Sequence, residues 1–375
     1  DRQKRFEDAI RLEVPDRVPL EINFGYFPAK YCGVSYSASY YDCDACLSAC
    51  TKTVFDFGAD ISSVQYFFPG VILEQIDPNI IRWPGRCGAQ IQSHQIIDGE
   101  YMFDTEYAHL ISDTTDFVFR RYMPRMAGVM KGCASIPPLP SPEMGHRTAL
   151  ALAEMLASPE VAETVEKLQK IGREFQEWRP KLRAFDAAFV ELGFPPMADH
   201  LTLAPYDVIA DNLRGMRGTM MDLYRHPDEL GEACESILRV LLDRIGMPVE
   251  GAVNRVAIPL HFGSEGFCSL QQFETLYWPT LRRLVVELID RGFTPLVMTE
   301  GDYTSRLEYL LEIPRGKAFV HFDTTDMFKA KDVLKGHLCI SGNMPVSLLA
   351  VGSPNEVREL AKRLMAAGLK RVDTR

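Results

Sequence analysis

The chain has 375 residues, room for one large α/β barrel or two ordinary domains, and its 46% hydrophobic and 25% charged residues are those of a globular protein. A formal net charge of −10 and a pI near 5.4 argue against nucleic acid or an anionic membrane as partner, since neither gains from an acidic surface, and leave a small molecule or another protein. No run approaches the roughly 20 apolar residues of a membrane helix, the charged start has no secretion-signal core, and cysteines without framework spacing fit reduced thiols, so the expected compartment is the cytoplasm.

A helix is expected over 2–12, with Phe6, Ile10 and Leu12 toward one side and Pro15 ending it. A first strand over 18–22 leads into Asn23-Phe24-Gly25-Tyr26-Phe27-Pro28. There Phe24, Tyr26 and Phe27 either line a pocket for a flat ligand or simply cover the strand. The helix expected over 41–57 carries Cys43, Cys46 and Cys50. Thiolates are ligands for zinc and iron–sulfur clusters, but positions i, i+3 and i+7 also share one helical face, and a buried stripe is the simpler reading. A second strand is expected over 59–65. Period-two pieces among Gly, Asp and Ser over 83–119 point to an inserted region of β-hairpins, with His94 and His109 in surface or structural roles.

The proline-rich 136–142 reads as a stiff connection, and Ser158-Pro159-Glu160 as a helix start with Ser158 as cap and breaks near Pro180 and Pro195. A third strand over 199–202 is followed by helices over 213–224 and 228–245. The fourth strand, 255–260, ends at the polar tip His261-Phe262-Gly263-Ser264-Glu265-Gly266. Ser269 caps the next helix, and a long amphipathic one follows over 280–290.

The stretch 294–345 organises the rest. Its apolar runs 295–298, 318–322 and 338–340 close on Glu300-Gly301-Asp302, on His321 with Asp323, and on Ser341-Gly342-Asn343. Strand, polar tip, helix, strand in repetition implies parallel strands with their C-terminal ends side by side, the edge at which α/β sheets build sites. The strand count reaches seven, and a closed barrel needs an eighth. After a last helix over 354–365, residues 368–375 are either a poor eighth strand or a chain cut short of it.

The order of segments resembles the uroporphyrinogen decarboxylase superfamily: Asp16-Arg17-Val18-Pro19 opening the first strand, the F-x3-Y/W-x-P-x-L pattern from Phe273 to Leu281, and the tips near Glu300 and Asn343. The resemblance spans essentially the whole chain and implies one (β/α)8 TIM barrel, here carrying the 83–119 insertion. Decarboxylases of this superfamily grip propionates with an R-Q-A-G loop after the first strand; residues 23–27 stand there instead. The corrinoid-linked methyltransferases that act on thiols carry H-x-C-G at the fifth tip, where this chain has Met298-Thr299-Glu300-Gly301. It is similar instead to the branch that begins anaerobic O-demethylation of phenyl methyl ethers, with an E-x20-H pair for zinc, a spacing that Glu300 and His321 have. That resemblance implies a zinc-dependent methyltransferase passing a methyl group from a methoxylated aromatic, or a similar small donor, to a corrinoid protein.

The chemistry is consistent. Carboxylate and imidazole are good zinc ligands, and adjacent parallel strands bring their tips within about 5 Å. Zinc with an open position would polarise an ether oxygen. Glu265 is the candidate third ligand; Asp323, Asp302 or His261 would deliver a proton, and His261 with the 24–27 aromatics would contact substrate. A glutamate and a histidine at strand tips also make an ordinary hydrogen-bonded pair, and Glu300 would equally serve as general acid without metal. Two other functions stay open: a cofactor-free decarboxylase of an aromatic or pyrrolic acid, and a non-catalytic barrel that binds a corrinoid protein or small ligand. The sequence leaves a homodimer open.

Overall fold

The computed structural model describes residues 1–64, 67–86, 91–138 and 145–368. The chain divides into two compact units, one of Asp1–Glu21, Phe194–Ala210 and Met220–Arg375, the other of Ile22–Gly193 and Asp211–Thr219. The strands among the described residues are β1 (Glu21–Gly25), β2 (Ile61–Val64), β3 (Ile81–Arg82), β4 (Gln95–Ile96), β5 (His200–Leu201), β6 (Arg255–Leu260), β7 (Thr294–Thr299), β8 (Phe319–Phe322) and β9 (Cys339–Ser341).

In the first unit β5 to β9 form one parallel sheet in sequence order. The reason lies in the apolar runs: Val256, Ile258, Leu296, Val297, Val320 and Phe322 are at most 1% exposed, as strands covered on both faces require. Register sets β6 against β7 from Arg255↔Thr294 to Leu260↔Thr299, and places His321 of β8 between Met298 and Ser341. The helix Trp278–Arg291 has Pro279 in its first turn and buries the stripe Leu281, Leu284, Val285 and Leu288, while Arg282 and Arg283 face outward. Each buried aliphatic side chain contributes about 2 kcal/mol of transfer free energy. Ser269 and Gln272 form a reciprocal cap, the serine hydroxyl accepting from Gln272 N–H and the Gln272 side chain from Ser269 N–H.

The second unit holds the two-stranded β1–β2 and β3–β4 sheets, and its other regular elements among the described residues are helices. β1 begins later than the 18–22 run suggests. Pro19 has no N–H for a ladder, and Val18 and Leu20 remain 40% and 43% exposed. Residues Phe27–Cys32, which begin in the aromatic segment after the strand, are a helix with Pro28 in its first turn. The 83–119 region also departs from the hairpin expectation. β3 and β4 pair over only Ile81↔Ile96 and Arg82↔Gln95, and from Asp104 to Ser135 the chain is helical. Its Asp and Glu residues act there as caps: Glu106 accepts from Phe103 N–H at 2.8 Å and Asp113 from Asp116 N–H at 3.0 Å.

Cys46 and Cys50 lie in a buried cluster with Ala38, Phe67 and Phe185, and Cys43 packs against it, the stripe arrangement. The helix Pro159–Glu191 continues through Pro180 instead of breaking. Buried Ile171 and Phe185 on either side anchor it, and that packing offsets the cost of about 3 kcal/mol for an interior proline. Ser158 stands at the cap position, but its hydroxyl donates to Met155 O and makes no cap bond. Among the described residues no helix is long and apolar enough to cross a membrane. The end of the expected eighth strand, 369–375, lies outside the described residues.

Candidate active site

The C-terminal ends of β6 to β9 carry the candidate groups. His261 follows β6, Glu300 follows β7, His321 lies within β8 and Ser341 ends β9. Glu300 N–H still donates to Leu260 O at 3.1 Å, so the ladder with β6 reaches the tip. Gly301 then turns the chain at φ +88°, its N–H 3.3 Å from Asp323 Oδ2; a Cβ here would sit 2.9 Å from Ser264 Oγ, so both conformation and space demand glycine.

Two histidine–carboxylate pairs result. His261 Nε2 is 3.7 Å from Glu300 Oε1, and the Glu300 side chain is 64% exposed. His321 Nδ1 is 3.4 Å from Glu21 Oε2 and 3.3 Å from Ser341 Oγ, and Ser341 Oγ–H donates to the same Glu21 oxygen at 2.8 Å. Because the Ser341 proton is committed to Glu21, both oxygens near Nδ1 can only accept. The His321 proton therefore resides on Nδ1, and in the neutral ring the lone pair is on Nε2. Burial opposes the charged ring, but the hydrogen bond and charge of Glu21, with Asp323 behind, hold the His321 pKa above its ordinary value. In the charged ring Nε2 holds the second proton, the one it can give.

The other expected residues are placed differently. Asp302 Oδ1 accepts from Thr304 N–H and Oγ–H, closing its own turn. Glu265 accepts from Ser305 N–H at 2.9 Å and lies 3.8 Å from Arg306 Nη1, so it braces the loop after β7. Phe24, Tyr26 and Phe27 belong to the second unit. Phe24 and Phe27 both pack on Phe57, and Tyr26 Oη bonds Tyr40 Oη and His94 Nδ1 at 2.6 and 3.0 Å.

Zinc needs at least three protein donors at about 2.0–2.3 Å. Among the described residues no three His, Cys, Asp or Glu side chains are grouped to hold a metal ion. The expected set Glu300, His321 and Glu265 is split, with Glu300 beside His261, His321 on Glu21 and Ser341, and Glu265 on Ser305. It does not fit the metal in this arrangement.

Sequence reasoning missed Glu21 and Asp207. A lone carboxylate inside the first apolar run was the available signal for Glu21. Asp207 is fully buried in the short helix Pro205–Val208, and burial pushes its pKa up to about 6 against the pull of Tyr277 Oη–H and the N–H groups of His261 and Phe262.

The profile of the uroporphyrinogen decarboxylase (URO-D) family matches residues 200–373. Among solved structures, a methyltransferase from Methanosarcina mazei is similar in fold, with a TM-score of 0.58 over 98% of this chain and 90% of its own, at 14% sequence identity. No curated protein matches the chain.

Proposed function

We propose that this chain, whose residues 200–373 match the uroporphyrinogen decarboxylase profile, is a methyltransferase that takes a methyl group from a methoxylated aromatic or similar small donor and passes it to a corrinoid protein. The supporting observation is the pair of histidine–carboxylate contacts on neighbouring strand ends, His261 with Glu300 and His321 with Glu21. When an aryl methyl ether loses its methyl group to a nucleophile, the C–O bonding pair stays on oxygen. Phenoxide leaves poorly, so the oxygen needs a proton as the bond breaks. His321, its pKa held up by Glu21, is the donor we assign, and His261 with Glu300 would orient the ether oxygen or replenish the proton.

A closed (β/α)8 barrel is part of this reading. Zinc enters it only through resemblance to the O-demethylase branch, and the acid–base account stands on the side chains alone. The carboxylates Glu300, Asp302 and Asp323 at these tips favour this reading over a decarboxylase, which would have to bind an acid beside them. The test is product analysis with 2-methoxyphenol and free cob(I)alamin. Release of catechol with methylation of the cobalamin is expected. Carbon dioxide from a carboxylated aromatic, without methyl transfer, would replace the proposal with the decarboxylase, and neither product would favour a binding protein.

A further inference from the structure

Asp207 carries no cation among its hydrogen-bond partners. Its Oδ2 accepts from His261 N–H at 3.0 Å and from Tyr277 Oη–H at 2.7 Å, and its Oδ1 accepts from Phe262 N–H at 3.1 Å. Tyr277 is itself 1% exposed. The next residue leaves no slack: a Cβ on Gly263 would sit 2.6 Å from both Tyr277 Cε1 and Tyr303 Oη. Burying this carboxylate costs folding free energy, which the charge of the His261 ring offsets only in part, and burial raising its pKa is the same fact expressed as a proton affinity. What this group supplies in return is geometry, since it fixes two consecutive backbone N–H groups at the end of β6, the first of them on the residue whose ring faces Glu300.

We infer that Asp207 is a positioning residue that sets the β6 end so that the His261 ring meets Glu300. An amide cannot substitute. The three donors fall on both oxygens, and an asparagine would turn its NH2 toward one of them, leaving a buried N–H or O–H unpaired at a cost of about 1–3 kcal/mol. The ionisable groups whose fields meet Asp207 are His261, Tyr206, Tyr277, Tyr303, Cys234 and Cys268. Removing the Asp207 charge would move the His261 titration whether or not the ring is displaced. The test must therefore read the His261–Glu300 contact itself.

The experiment is a double-mutant cycle on the full chain, following the His261 ring by NMR as a function of pH. Glu300→Gln is made in the wild type, in Asp207→Asn and in Tyr277→Phe, with a thermal melt on each. In the wild type, E300Q should lower the His261 midpoint. In D207N that displacement should shrink at least threefold, and in Y277F, which keeps the carboxylate and removes one donor, it should shrink less. An undiminished displacement in folded D207N overturns the inference; if D207N does not fold, an undiminished displacement in Y277F does so. The kinetic consequence rests on the proposed methyl transfer: in D207N, kcat should fall at least tenfold with KM within threefold. The NMR cycle needs no turnover, so a protein that transfers no methyl group leaves the two outcomes separate.

Discussion

His321 shows most directly how the surroundings of one side chain set its chemistry. Its ring is denied full hydration, yet Glu21 and Ser341 take Nδ1 and leave Nε2 without a hydrogen bond among the described residues. Because its folded pKa lies above the unfolded 6.5, the folded chain binds this proton more tightly than the unfolded chain. The stability it brings is full below about pH 6.5 and is lost as pH rises through the folded value. Glu21→Gln should therefore lower the melting temperature more at pH 6 than at pH 8. An equal gap, or a wider one at pH 8, would show that Glu21 does not hold the proton on His321. At the other pair, Glu300→Gln should lower methyl-transfer kcat about tenfold or more while KM moves little, as expected for a group felt mainly in the transition state. A change confined to KM would make Glu300 a binding residue only.

At the scale of elements, β6 to β8 were legible in the sequence because they are buried along most of their length and so read as apolar runs with a polar end, while the half-buried β9 was read from the short run that begins at the buried Leu338. The pairing at those ends was not. Glu300 and His321 do fall on neighbouring strands, but His321 lies level with Met298, two residues short of Glu300, an offset of about 6–7 Å along the strand. Glu300 thus meets the end of β6, and His321 meets β9 and Glu21, a residue far away in sequence. The 83–119 region misled for a different reason: its Asp and Glu residues supply local caps that no period of two reveals. In the helical part of that unit Asp116 binds Arg120 through both oxygens and His109 through one. The hydrogen bond and charge of the Arg120 guanidinium hold the Asp116 carboxyl down at about 2, so the stability of the pair is present above about pH 4 and fades only as pH falls toward 2. Asp116→Ala leaves Arg120, 7% exposed, without its carboxylate and should cost about 3 kcal/mol at neutral pH, measured by urea unfolding. A loss below about 0.5 kcal/mol would mean that water satisfies Arg120 there.

For the whole molecule, residues 200–373 match the uroporphyrinogen decarboxylase profile, and the fold over nearly the whole chain is similar to that of a methyltransferase from Methanosarcina mazei. Within that frame the proposed chemistry is proton delivery to a departing oxygen by histidines tuned by carboxylates. The most direct measurement is the first-order rate of methyl transfer from 2-methoxyphenol to free cob(I)alamin, followed by the cobalamin absorbance, for the wild type and His321→Gln. The account predicts a rate in the wild type that falls at least a hundredfold in H321Q, with the melting profile at pH 8 nearly unchanged. A folded H321Q that transfers methyl groups as fast as the wild type would contradict it.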